Sequence, residues 1–389
     1  MHITLSPDQK RALDSLLAWH KDGSHNGFIS LGGYAGTGKT TLLGILRRKL
    51  HKENEKLKVA FVSYTGKATR VLRQKLTAAK TAFDQDSVST IHALIYSPIV
   101  DDNEEIVGWE RKKKIECDLI VVDEASMVDE NIWRDLVAYD VPIIAVGDHG
   151  QLPPISGSFS LMANPLLRLE KIHRQAEGNP VIQLSLQARE MGNIPPGSYG
   201  EGVYKLSRRN TEDIEKVNSL LAAYDYTTMI LCGYNSTRAK LNNHIRTILG
   251  FESTCPQQND KIICLRNNHK KQIFNGMTGI INSIIPFTDD WYTVTVNMDG
   301  EEKPYEGDIS AKQFSSQQSL NFTDRRSSIM DGDLFDFGYA FTVHKAQGSQ
   351  AKKVILFEER FKQMDDEMWR RWLYTGVTRA EEELILVGD

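Results

Sequence analysis

At 389 residues the chain is too long for one hydrophobic core, so two or three domains are expected, and 40% hydrophobic with 25% charged residues excludes long disordered tails. The balance of 47 Lys and Arg against 51 Asp and Glu gives a net charge of -4, so bulk charge does not mark a polycation and any grip on nucleic acid must be local. Cys117, Cys232, Cys255 and Cys264 form no C-x-x-C pair, which excludes a zinc ribbon or disulfide frame. The lack of a bilayer-length apolar run and of a signal-peptide pattern predicts a cytoplasmic chain.

In chain order, residues 6–21 predict a helix, with Ser6 as N-cap, Pro7 in the first turn and Leu13, Leu16 and Leu17 on one face. Nearly all-apolar runs at 27–31, 58–64, 118–122 and 142–146 read as strands buried on both faces, with a helix over 41–50 between the first two. Residues 93–116 interrupt them: Asp101-Asp102-Asn103 is a turn between the runs 96–100 and 105–109, predicting a projecting hairpin. A second set of strands follows at 228–232, 338–341, 353–357 and 383–387, so two α/β units are expected. Between 255 and about 331 the turn signals Asn275-Gly276, Asp299-Gly300 and Glu306-Gly307 predict a small β-rich insertion.

Chemistry concentrates where these strands end. Gly33-Tyr34-Ala35-Gly36-Thr37-Gly38-Lys39-Thr40 matches G-x-x-x-x-G-K-[ST] between a buried strand and a helix. Such glycines let backbone N–H groups close around phosphates at a helix N-terminus, while Lys39 neutralises phosphate charge and Thr40 ligates Mg²⁺. The strand ending in Asp123-Glu124-Ala125-Ser126 supplies Asp123 to hold the metal through its water shell and Glu124 as general base. Alone, adjacent acids after a strand are common solvated loop residues; downstream of a phosphate loop they carry more weight. Gly147-Asp148-His149-Gly150-Gln151-Leu152-Pro153-Pro154 brings Gln151 to report the γ-phosphate, against a bland reading as a Gly-Pro turn.

These motifs, together with Tyr64-Thr65-Gly66-Lys67-Ala68, Ser89-Thr90-Ile91-His92, Ile172-His173-Arg174-Gln175, the run from Tyr339 to Ser349 and Tyr374-Thr375-Gly376-Val377-Thr378-Arg379-Ala380, resemble superfamily 1 helicases in order and spacing. The likeness is to the RecD/Dda-like branch, whose members move 5′ to 3′, and it spans nearly the whole chain.

The resemblance implies an α/β fold of two RecA-like P-loop domains that sandwich ATP, with a small β-hairpin pin insertion and an SH3-like β-barrel insertion. Residues 1–164 would form the first domain with the hairpin at about 93–116, residues 165–258 plus 332–389 the second, and 259–331 the SH3-like module. By resemblance Gln9 reads the adenine edge, and Gly33, Ala35, Gly36, Thr37, Gly38, Lys39, Thr40, Thr41, Gln347 and Gly348 line the nucleotide. Lys39, Asp123, Glu124, Gln151, Arg174 and Arg379 are the catalytic set, the two arginines spreading charge over the γ-phosphate, and Thr40 and Asp123 hold the metal. Thr65, Lys67, His92, Asn235, Arg238, Thr342, His344 and Lys345 match positions that face the strand, and hydroxyls, imidazoles and cations suit phosphate contacts that hold backbone without reading bases.

Trp109, or Tyr96, would stack at a fork. The run Arg111-Lys112-Lys113-Lys114 would guide phosphate or form a solvated face, and Lys261, Arg266, His269, Lys270 and Lys271 would make the SH3-like module a basic lid or a barrel with a basic rim. The implied cofactors are ATP and Mg²⁺. The implied partners are single-stranded DNA, tailed duplex DNA and single-strand-binding or replication proteins, for a monomer in a bacterial or phage-infected cell. Motif order leaves duplex unwinding, protein displacement and an RNA track open, as well as a DNA-binding regulator with a degenerate ATPase, which the intact lysine, carboxylates and arginines oppose. His149 stands where lysine or another polar residue is common in relatives, a position not expected to be catalytic, and the expected hairpin is small.

Overall fold

The computed structural model describes residues 5–22, 27–100, 106–154, 159–171, 178–268, 271–316, 320 and 332–389. The chain divides into two compact units, residues 1–182 and 183–389.

In the first unit, α1 (Pro7–Lys21) starts where expected, because Ser6 and Gln9 close a reciprocal capping box and Pro7 supplies the first turn. Then come β1 (Phe28–Gly33), α2 (Lys39–Glu53), β2 (Val59–Ser63), α3 (Gly66–Ala78), β3 (Ser87–Thr90), α4 (Ile91–Ile95), β4 (Tyr96–Val100), β5 (Ile106–Arg111), β6 (Leu119–Asp123), α5 (Glu130–Val137), β7 (Ile143–Gly147) and β8 (Leu167–Leu169). Six of these strands form a parallel sheet in the order β3-β2-β6-β7-β1-β8, and β4 and β5 form a separate antiparallel pair. One core cluster joins Leu13, Leu16, Leu42, Leu43 and Leu46 to Leu31, Phe61, Val121 and Val146. A second cluster gathers Val62, Ile120, Val122 and Ala145 with Ile91, Ile95 and Leu136. The central strands β2, β6 and β7 are apolar up to their last residue, because both faces are covered. Truncating any of these fully buried leucines to alanine costs about 2–5 kcal/mol.

The second unit takes up α6 (Pro180–Met191), whose sequence spans the division, and then β9 (Gly197–Gly200), β10 (Val203–Ser207), α7 (Thr211–Ala222), β11 (Thr228–Cys232), α8 (Asn235–Ile248), β12 (Lys261–Cys264), β13 (Thr278–Thr288), β14 (Trp291–Met298), β15 (Tyr305–Ser310), β16 (Phe335–Phe337), β17 (Ala340–Thr342), β18 (Ala351–Phe357), α9 (Asp366–Val377) and β19 (Ala380–Gly388). Its main sheet runs β17-β11-β18-β19-β10-β9, parallel except for the outer β9–β10 pair. A five-stranded antiparallel sheet, β15-β14-β13-β12-β16, is inserted between β11 and β17. One hydrophobic cluster runs from Ile230, Ile355 and Ile385 of the main sheet to Ile262, Ile281, Val296 and Phe335 of the inserted sheet.

Two boundaries differ from expectation. Strand β8 pairs with β1, so the first sheet extends past residue 164. Strand β16 pairs antiparallel with β12, so the inserted sheet is completed by residues beyond 331. Each is a three-residue strand, too short to show a period of two.

Candidate nucleotide site and strand-binding residues

All six strands of the first sheet point the same way, so their C-terminal ends share one edge. Ser63 is in register with Asp123, Val122 with Ala145, and Gly32 with Gly147. The phosphate-loop motif, the carboxylate pair and the Gln151 loop therefore leave neighbouring strands β1, β6 and β7 side by side, where open α/β sheets bind ligands.

In the loop, Gly36 and Gly38 adopt φ of 78° and 79°, the left-handed region glycine enters at little cost. Gly38 caps α2 without any side-chain hydrogen bond, which leaves the first amides of a 15-residue helix for an anion. This also explains why α2 begins at Lys39 and not at Thr41. Thr40 and Thr41 stand in its first turn, and Ala35 and Gly36 lie at the bend. Lys39 Nζ donates to the carbonyls of Gly33 (2.6 Å) and Tyr34 (3.1 Å), and Thr37 Oγ1 donates to Tyr34 O at 2.8 Å. The motif thus folds its cation back over its own mouth. Gln9, 1% exposed, accepts from Ser6 N in the capping box and donates to Thr37 O at 2.9 Å, which ties α1 to the loop.

At the end of β6, burial and the adjacent Glu124 carboxylate push the Asp123 carboxyl up to about 6, opposed by Lys39. Glu124 has φ 53°, unusual for a non-glycine residue and a place where backbone strain is held. Its Oε2 is buried without a hydrogen-bond partner, and so are Ser126 Oγ and Ser63 Oγ. Orphaned oxygens around a reluctant carboxylate are the donor set a hydrated divalent cation satisfies, so these residues fit Mg²⁺ held with Thr40. Beyond β7, Asp148 is 1% exposed, accepts from Gly150 N at 2.9 Å and faces Gln151 Nε2 at 3.4 Å, anchoring the turn that carries Gln151. A Cβ on Gly147 would lie 3.0 Å from Ser126 N, so glycine is what lets the two motifs touch. His149 packs its ring against Tyr34 at 4.0 Å.

Along the same edge, after β2 and β3, lie the expected strand-facing residues. Thr65 caps α3 by accepting from Ala68 N at 3.2 Å, and Lys67 follows in its first turn. His92, in α4, meets Trp109 edge-on at 4.5 Å and Tyr96 at 4.6 Å. Tyr96 donates to Asp135, Lys112 Nζ to Ala93 O, and the Tyr139 hydroxyl reaches the Ile95 and Lys112 carbonyls, so the root of the β4–β5 pair is fastened to the unit. Within the basic run Lys112 is thus a fastening, while Arg111, Lys113 and Lys114 are exposed.

The second unit separates its two sets of residues. At the N-terminal ends of β18 and β19, Arg379 (4% exposed) donates through Nε to Thr375 O at 2.9 Å and through Nη1 to Ser349 O at 3.2 Å. That gathers Gln347, Gly348 (φ 72°) and Arg379. At the C-terminal ends of β11 and β17, Asn235 opens α8 exposed, Arg238 pairs with Asp336 at 2.7 Å, and Thr342 Oγ1 accepts from Lys345 N at 3.3 Å. Burial holds the His344 imidazole below its ordinary value and brings the Lys345 ammonium down to about 8, while Lys345 Nζ donates to Asn275 of the inserted sheet. Residues 343–350 cross from one edge to the other, joining the two sets by eight residues of backbone.

Three of the residues expected to form a basic lid or a basic rim have partners within the fold. Lys261 is 7% exposed and donates to Tyr226 O at 2.8 Å, Arg266 donates to Gly332 O, and Lys271 pairs with Asp333 at 3.3 Å. Those cations brace the inserted sheet. His173, Arg174, His269 and Lys270 lie outside the described residues, as does the hairpin turn at 101–105.

Several residues that position the site went unassigned from sequence. Asn242, 2% exposed, accepts from Tyr339 N and Ala340 N through Oδ1 and so sets the start of β17. Glu359 accepts from Gly233 N, Tyr234 N and the Thr237 hydroxyl, anchoring the start of α8. Neither stands in a motif. Ser126 and Asp148 were inside quoted motifs, where their chemistry was the available signal.

The family described as AAA domain matches residues 4–209, more than half the chain, and the one described as UvrD-like helicase C-terminal domain matches 337–387. Among curated relatives, the ATP-dependent RecD2 DNA helicase of Deinococcus radiodurans is 26% identical over 99% of this chain and 49% of its own length. The ATP-dependent DNA helicase dda of Enterobacteria phage T4 is 29% identical over 98% of this chain and 99% of its own. The chain thus spans about half of the RecD2 relative and nearly all of the phage one. Among solved structures, a Bacteroides Pif1 helicase in complex with ADP-AlF3 and ssDNA shares the fold with a TM-score of 0.53 at 18% identity, covering 99% of this chain and 92% of that one.

Proposed function

Because the chain belongs to the AAA-domain family and is a superfamily 1 helicase of the RecD, Pif1 and Dda branch, we propose that it hydrolyses ATP to move 5′ to 3′ along single-stranded DNA, with duplex unwinding or protein displacement as the work done. The observation that carries the reading is the shared strand edge. A phosphate loop ending in an uncapped helix, a buried carboxylate and a strained neighbouring glutamate stand on adjacent strands.

Hydrolysis in such a site is positioning and electrostatics. Loop amides and Lys39 hold the phosphates, and Gln9 holds the loop from behind and reads the adenine. Thr40 and Asp123 would hold Mg²⁺, which when bound would neutralise phosphate charge. Glu124 takes the proton of the attacking water, and its buried unpaired oxygen suits a base that needs its acceptor free. Gln151 senses the γ-phosphate from a turn fixed by Asp148, and Arg174 and Arg379 spread the charge that develops there.

Thr65, Lys67, His92, Asn235, Arg238, Thr342, His344 and Lys345 are proposed to hold the DNA backbone, residues 343–350 carrying the nucleotide state to the strand. The β4–β5 hairpin is proposed as a pin with Trp109 at the fork, and the inserted antiparallel sheet as an SH3-like module. The domains would be 1–164, 165–258 with 332–389, and 259–331, adjusted for β8 and β16. Two duplexes with opposite single-stranded tails test the proposal: ATP-dependent separation of the 5′-tailed substrate alone is expected, and preference for the 3′ tail would overturn the polarity.

A further inference from the structure

Ser63 ends β2 fully buried, and its hydroxyl makes no hydrogen bond with any of the described residues. Native structures rarely leave a buried hydroxyl unsatisfied, and the other four residues of β2, Val59, Ala60, Phe61 and Val62, are apolar. Packing would therefore be served as well by alanine. The in-register partner of Ser63 is Asp123. Parallel partners in register send their side chains to the same face of a sheet, from strands about 4.8 Å apart. The hydroxyl thus stands beside the carboxylate assigned to Mg²⁺ without bonding to it, a spacing that one bridging water spans. Ser126 Oγ and Glu124 Oε2, which follow Asp123 at the end of β6, are likewise buried without a hydrogen-bond partner among the described residues.

We infer that Ser63 is a positioning residue of the metal centre: its hydroxyl orders a water of the shell through which Asp123 holds Mg²⁺. The inference rests on the nucleotide-site reading above. Partners that orient metal-bound groups govern metal affinity by roughly tenfold or more.

The test is Ser63→Ala in the full chain, read by binding of a fluorescent ATP analogue titrated with Mg²⁺, by the same binding in EDTA, and by ligand-free melting. The Mg²⁺ needed for half-saturation is expected to rise roughly tenfold, with binding in EDTA unchanged and the ligand-free melting temperature equal or higher, because an unpartnered buried hydroxyl is lost. An unchanged Mg²⁺ requirement would overturn the assignment, and so would a lowered ligand-free melting temperature, which marks a structural serine. Lys39→Ala, run in parallel, separates the two readings. Analogue binding by the parent that depends on Lys39 but is indifferent to Ser63 removes this inference alone, whereas no binding by the parent removes the nucleotide site and this inference with it.

Discussion

Lys345 shows how burial sets the working range of a single side chain. Its ammonium is brought down to about 8, first by burial and further by Arg238, against the opposing pulls of Cys264 and Asp336. Cys264 beside it is pushed up to about 12 and stays a neutral thiol, and the neighbouring His344 is held toward its neutral form. The sign follows directly. Between about 8 and the ordinary lysine value of 10.5 the folded chain binds fewer protons than the unfolded one, so the burial penalty is full below that window and is relieved as pH rises through it. In the proposed strand contact a DNA phosphate would pair with the charged form, so binding would take up a proton above pH about 8. Single-stranded DNA affinity should fall between pH 7.5 and 9, by up to roughly tenfold per pH unit above the pKa, and Lys345→Met should be weaker and flat over the same range. Equal slopes for the two proteins, measured by fluorescence anisotropy, would take Lys345 off the strand.

Among the elements, the β4–β5 hairpin makes the sharpest claim. Its root is fastened through Tyr96, Lys112 and Tyr139, while Trp109 remains 36% exposed against His92. A half-exposed indole on a held root is suited to stacking on a base, worth about 1–3 kcal/mol. Trp109→Ala should therefore slow duplex separation by roughly tenfold and leave DNA-stimulated ATP hydrolysis within about twofold. An equal loss of both activities would make Trp109 a packing residue of the His92 cluster.

The same hairpin was legible from its turn residues, and the buried strands of both sheets from their continuous apolar runs, because parallel strands covered on both faces leave that pattern. Strand β3, Ser-Val-Ser-Thr at a half-buried edge, and the three-residue β8 and β16 leave none, so their pairing is decided by tertiary contact. The nucleotide site was readable because its loop geometry demands particular residues at fixed spacing. Asn242 and Glu359 were not, since they act on backbone groups far away in sequence and any suitable acceptor would serve. Between a basic lid and a basic rim the sequence could not choose, because charge alone does not give partners: Lys261 and Arg266 donate to carbonyls within the fold, while Lys271 pairs with Asp333 and stays exposed.

For the whole molecule, a net charge of -4 means that the chain does not hold DNA by bulk attraction. Binding must come from the few residues gathered at strand ends. Each unit carries both kinds of proposed residue: in the first they follow one another along a single edge, and in the second residues 343–350 cross between opposite edges. With the roles proposed above, this arrangement would make a nucleotide change and a strand contact parts of the same element, the requirement for a motor. The central claim is therefore coupling, and it is tested most directly by the ATP hydrolysis rate with and without single-stranded DNA, beside Lys39→Ala. Strong stimulation by DNA that Lys39→Ala abolishes is the predicted result. A rate indifferent to DNA, from protein shown to be folded, would contradict the account.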